Sequence, residues 1–127
     1  MNQHSGLTLA YLGDAYYEVE IRTYLISKGI TNVNLLHQQA IKYTSAVGQA
    51  KAVMKLVEQY LTEEEISVYK RGRNATSTRK PKNTPLNIYQ FATGFEALIG
   101  FLVIEKQNER LNEIIQKSIS LIEETSE

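Results

Sequence analysis

The chain has 127 residues, enough for one domain that buries about two-thirds of its surface on folding. Lysine plus arginine and aspartate plus glutamate both number 14, so net charge argues neither for nor against a nucleic-acid partner. The absence of cysteine excludes disulfides, thiolate zinc sites and a cysteine nucleophile.

The longest apolar run, Ala97 to Ile104, has about half the length of a membrane span, and no basic segment leading into an apolar one opens the chain. The expectation is a soluble cytoplasmic protein with no membrane partner. The first element reads as a helix from about Leu7 to Lys28, stopped by Gly29 at C′. Wound at 100° per residue, it is apolar on nearly every face, the mark of a buried helix. Asp14 shares its face with Leu7, Ala10, Ile21 and Leu25 and so needs a partner, expected to be cationic. Gly13 predicts a close backbone approach, since mid-helix glycine costs about 1 kcal/mol against alanine.

Helices follow from Asn32 to Thr44 and from Ser45 to Leu61, each with apolar residues near helical spacing. Thr62 to Glu65 is a capping box, with Leu61 and Ile66 at the staple positions, and opens a short helix ending near Gly72. The stretch from there to Thr84 is polar, contains Pro81 and reads as the one long loop. Thr84 and Pro85 suggest an N-cap with proline at N1 of a helix from Asn87 to Glu105. The last helix carries Leu111, Ile114, Ile115, Ile119 and Ile122. No alternating run suits a strand, so the expected fold is all-α, with about six helices in a single domain.

Glu96 is the second acidic residue on an apolar helix, and Gly94 and Gly100 beside it suggest a close helix crossing. If that crossing meets Gly13, Asp14 and Glu96 converge on a divalent cation with oxygen ligands, as Mg²⁺ prefers. The competing reading pairs each carboxylate with a buried arginine or a capping amide, the commoner fate of such a residue. Arg22 is better placed to pair with Glu18 at i,i+4. Between Ile66 and Phe95 there is no acidic residue, yet Lys70, Arg71, Arg73, Arg79, Lys80 and Lys82 fall within thirteen positions. With Asn74 they suit phosphate oxygens; the plain alternative is a solvated loop. His4 and His37 have no metal-ligand spacing and receive no role.

Leu12-Gly13-Asp14-Ala15 with Glu18, and Phe95-Glu96-Ala97-Leu98-Ile99-Gly100 downstream, resemble the paired signature of the ribonuclease III catalytic domain. Lys70-Arg71-Gly72-Arg73-Asn74-Ala75 and Pro81-Lys82-Asn83-Thr84 resemble the small bacterial subgroup without a double-stranded-RNA-binding domain, Mini-ribonuclease III. The resemblance runs from about residue 6 to residue 121 and makes residues 1–127 one catalytic domain. It departs from the larger relatives at Ala10 and Thr93, where they carry a glutamate and an aspartate, so two of four metal-site carboxylates remain.

The resemblance implies an Mg²⁺-dependent endoribonuclease on double-stranded RNA, a homodimer leaving 5′-phosphates, that matures 23S ribosomal RNA precursor ends. It makes Asp14 and Glu96 the catalytic, metal-holding pair. It leaves RNA binding to Lys70, Arg71, Arg73, Asn74, Arg79, Lys80 and Lys82. Two other readings stand beside this one: an inactive ribonuclease III-fold RNA-binding or assembly module, and a helical protein-interaction domain.

Overall fold

Gly29, at φ +92°, closes the first helix where the sequence places its end. The computed structural model describes residues 4–75 and 82–124. They form six helices: α1 (Gly6–Ser27), α2 (Val33–Thr44), α3 (Ala46–Gln59), α4 (Glu63–Arg73), α5 (Leu86–Ile104) and α6 (Asn108–Glu124). No strand occurs among the described residues.

Local chemistry sets these boundaries. Ser5, Asn32 and Ser45 accept from the amides of Thr8, Leu35 and Gly48 at the starts of α1, α2 and α3. Each such cap is worth about 1 kcal/mol. At α4 the reciprocal capping box is complete: Thr62 Oγ1 accepts from the Glu65 amide, and the Glu65 carboxylate accepts from the Thr62 amide at 2.9 Å. One boundary differs from expectation. Pro85 is the N-cap of α5 rather than its first helical residue, and no side chain caps that helix. Helix α4 ends at Arg73, beside Gly72 as expected, and Gly72 itself packs against Gly94 and Ala97 of α5.

Helix α5 is the central element, packed on α1, α3, α4 and α6. It has the length and apolarity of a membrane span, but Phe95, Ala97, Leu98, Ile99 and Leu102 on it are spent on the protein core. Tyr17 of α1 meets Phe95 edge-on, with centroids 4.9 Å apart, and its hydroxyl donates to the Tyr43 carbonyl at 3.0 Å. These contacts lock α1 to α5 and α2 together. Helix α6 is tied to α4 by Arg110, which donates to both Glu65 oxygens at 2.8 Å and to the Tyr60 carbonyl at 3.0 Å. That guanidinium holds the Glu65 carboxyl below the ordinary glutamate range.

Helix α1 is not buried on every side. Leu9, Tyr17, Ile21 and Leu25 enter the core, whereas Tyr11 is 84% exposed and Val19 and Ile26 also face outward. Asp14 lies on the exposed side as well.

Candidate active site

The site is built on the crossing of α1 and α5, and glycines permit that crossing. A Cβ at Gly13 would overlap the Glu96 carbonyl oxygen and stand 2.8 Å from the Gly100 amide nitrogen. One at Gly100 would overlap the Leu9 carbonyl oxygen and stand 2.8 Å from its carbon. The two backbones therefore touch directly, with no side-chain layer between them. Gly94, grouped with Gly100 on sequence grounds, serves another contact: it receives Tyr69 and Gly72 of α4.

Such contact carries the next residue of each helix to the same place. Asp14 follows Gly13, and Glu96 supplies the carbonyl that Gly13 touches, so the two carboxyl groups meet in a hydrogen bond. The cationic partner expected for Asp14 is absent among the described residues: its neighbour is a second acid. Arg22 pairs with Glu18 at 3.1 Å, as i,i+4 spacing predicts.

Half-buried Glu96 bears most of the strain of this meeting. Burial, the hydrogen bond to Asp14 and the Asp14 charge together push its carboxyl up to about 9. The pair thus retains a proton at neutral pH when no cation is present. An unfolded glutamate binds its proton only below about 4.5, so the folded chain binds more protons between about 4.5 and about 9. Stability from this group is present at acid pH and is lost as pH rises across that window. Thermal melts in a chelator should show the loss in the wild type, and Glu96→Gln should be stabilised relative to it increasingly with pH. A difference between the two proteins that stays flat with pH would refute the pairing.

Gln49, which the sequence reading did not single out, completes the inner side. It lies on the first turn of α3, is 2% exposed, and donates to Glu96 Oε2 at 3.3 Å. Ala10 and Thr93 are buried, and the Thr93 hydroxyl donates to the Tyr89 carbonyl within its own helix. Neither adds a ligand. Among the described residues no cluster of three or more histidines, aspartates or glutamates exists. The donor set nevertheless fits Mg²⁺. Two oxygen donors meet without a lysine or arginine among the described residues to neutralise them, and Mg²⁺ is commonly held by one or two carboxylates with water and phosphate completing its shell.

The basic residues are placed differently from a flexible loop. Lys70, Arg71 and Arg73 occupy the last turn of α4, and Asn74 is its C-cap. With Glu63, Glu64 and Glu65 in the first turn, these charges complement the helix dipole, a structural role of about 0.3–1 kcal/mol each. Arg73 stacks over Tyr69 at 5.6 Å and its Nε donates to Asn74 Oδ1 at 3.1 Å. Lys70 and Asn74 are exposed and, with Ser67 and Arg71, line an open groove along α4. Lys82 is exposed in the turn before α5, while Arg79 and Lys80 lie outside the described residues. Since Gly72 packs on Gly94 and Ala97, this basic turn flanks the segment of α5 that carries Glu96.

The Ribonuclease III domain model matches residues 7–107 of this chain. Mini-ribonuclease 3 of Enterococcus faecalis is 48% identical over 98% of this chain and 96% of its own length. That of Streptococcus pneumoniae is 45% identical over 97% of each. A crystal structure of a Fusobacterium nucleatum protein superposes with a TM-score of 0.81 at 32% identity, covering 90% of this chain and 87% of that one. The chain belongs to the ribonuclease III family of endoribonucleases, among its Mini-ribonuclease 3 members.

Proposed function

We propose that this endoribonuclease of double-stranded RNA works with Mg²⁺ held between Asp14 and Glu96, as a cytoplasmic homodimer, and that its substrate is the 23S ribosomal RNA precursor. The observation that carries the metal assignment is the carboxyl pair at the glycine crossing, which no lysine or arginine among the described residues neutralises. When bound, Mg²⁺ would supply Lewis-acid polarisation of the phosphate and a water of lowered pKa. The chain's own part is electrostatic and geometric. Asp14 stands at the exposed edge, where a phosphate backbone can approach, and Glu96 is anchored in the protein behind it. A cation held there would displace the proton that Glu96 retains, so affinity should rise with pH up to about 9. The 23S precursor is supported by the resemblance to the small subgroup. The test is incubation of long duplex RNA and of the precursor stem with and without Mg²⁺. Cleavage in chelator, or no preference for the precursor stem, would remove the corresponding part of the reading.

RNA contact is assigned to the basic turn of α4 and to Lys82, with Arg79 and Lys80 included from sequence alone. Lys70 and Lys82 are the cleanest targets because both are exposed, whereas Arg71 and Arg73 are half-buried. Replacing both lysines with alanine should flatten the slope of log affinity against log salt by about two units, at roughly 0.9 per phosphate contact. Cleavage of fully bound duplex in a single turnover should change little. A slope equal to that of the wild type would leave these lysines as solvated charges.

The dimer is supported by apolar surface beside the site. Leu7, at 40% exposure, and Tyr11 stand four residues apart on the side of α1 that carries Asp14. A two-fold contact there would set two sites across one duplex, one per strand. Tyr11→Lys should give a monomer by sedimentation at micromolar concentration, with cleavage much reduced. A wild-type monomer that still cleaves duplex RNA would remove the dimer.

A further inference from the structure

A glutamine side chain fully inside an α-helical core requires explanation. Leucine or methionine would fill the same volume, and burying an amide without partners costs several kcal/mol. Gln49 keeps its amide because two acceptors face it: the Thr44 carbonyl at 3.4 Å and Glu96 Oε2 at 3.3 Å. A carbonyl oxygen can only accept, so the amide nitrogen, with its two hydrogens, must face both groups. The orientation of the amide is thereby fixed by the backbone at the α2–α3 junction.

We propose that Gln49 is a positioning residue, which clamps one oxygen of Glu96 and leaves the other free to hold the cation. The inference rests on the assignment of Asp14 and Glu96 as metal ligands. A glutamate has three rotatable side-chain bonds, and in a site of only two carboxylates the aim of each matters more than in one of four. Gln49 removes that freedom from the inner ligand. It does so from α3, a helix that supplies no ligand itself. Ser45 already caps α3 through the Gly48 amide, so the start of that helix does not depend on the glutamine.

The experiment compares wild type, Gln49→Met and Gln49→Glu, all as full chains. Methionine keeps the length and removes the donor. Calorimetric titration with Mn²⁺ or Mg²⁺ in the absence of RNA should show affinity about tenfold or more weaker in Gln49→Met, the usual effect of losing an outer-shell partner. The Mg²⁺ concentration giving half-maximal cleavage should rise by the same factor, while KM for duplex RNA at saturating Mg²⁺ is unchanged. A merely structural glutamine would lower the melting temperature and leave the metal affinity of the folded protein intact, and that result overturns the proposal. Gln49→Glu keeps the shape and turns a third carboxylate toward Glu96. It should melt below wild type in chelator and gain more from Mg²⁺ than wild type does; an equal or smaller gain also overturns the proposal, even if Gln49→Met does not fold. If wild type itself binds no divalent cation, the metal assignment of Asp14 and Glu96 falls, and this inference with it.

Discussion

Asp14→Asn is expected to abolish cleavage, by roughly a thousandfold or more, while the protein remains folded and binds duplex RNA. A thousandfold corresponds to about 4 kcal/mol of transition-state stabilisation, within what a metal clamp on a phosphoryl oxygen provides. Asparagine keeps the volume and removes the ligand charge. The position is exposed, so no packing is lost. Glu96→Gln should be equally inactive, and the two proteins share a second signature. Each removes one acid from a pair whose mutual repulsion and burial push Glu96 up to about 9, so each should melt above wild type in chelator near neutral pH. Gain of stability with loss of activity marks a site strained for function. Cleavage comparable to wild type by either mutant at saturating Mg²⁺ would sink the catalytic assignment. Loss of duplex binding in step with cleavage would point instead to an RNA-holding role for the carboxylates.

Much of this site is legible in one dimension because its determinants are local. Gly13 and Asp14 are neighbours, as are Glu96 and the run to Gly100, and mid-helix glycines imply backbone contact wherever they occur. Capping is equally local, and the Thr62–Glu65 box closes as its spacing demands. What the sequence hides depends on partners far along the chain. The face of α1 with Tyr11 and Asp14 is as apolar in pattern as the face with Tyr17, and only the placement of α5 decides which is buried. Gln49 and Glu96 are 47 positions apart, and a glutamine in a helix carries no signal of its own. Gly72 stands at the end of α4 and also admits α5, and only the first of these is legible without the fold. The usual cost of a buried charge predicts a cation at Asp14, but the structure leaves Asp14 exposed and places the protonated carboxyl of Glu96 beside it.

Gly13→Ala should be among the most damaging substitutions in the chain, although alanine normally favours an exposed helix interior by about 1 kcal/mol. Here the added methyl would overlap the Glu96 carbonyl oxygen and crowd the Gly100 amide nitrogen at 2.8 Å, both rigid backbone atoms. Relief requires α1 and α5 to separate, which opens the core around Tyr17, Phe95 and Ile99. Overpacking on that scale costs about 3 kcal/mol, lowering the melting temperature by roughly 10 °C. Any folded fraction should bind Mg²⁺ poorly, because the helices whose contact aims Asp14 at Glu96 no longer touch. Gly29→Ala supplies the control. Its φ of +92° strains any other residue by about 1 kcal/mol, yet nothing lies within 4 Å of the new methyl. It should therefore lose a little stability and keep its metal affinity and cleavage. Thermal melts and Mn²⁺ titrations on the two variants separate backbone strain from helix contact. A Gly13→Ala protein as stable and as tight for the cation as Gly29→Ala would mean that the α1–α5 crossing does not set the geometry of the carboxylates.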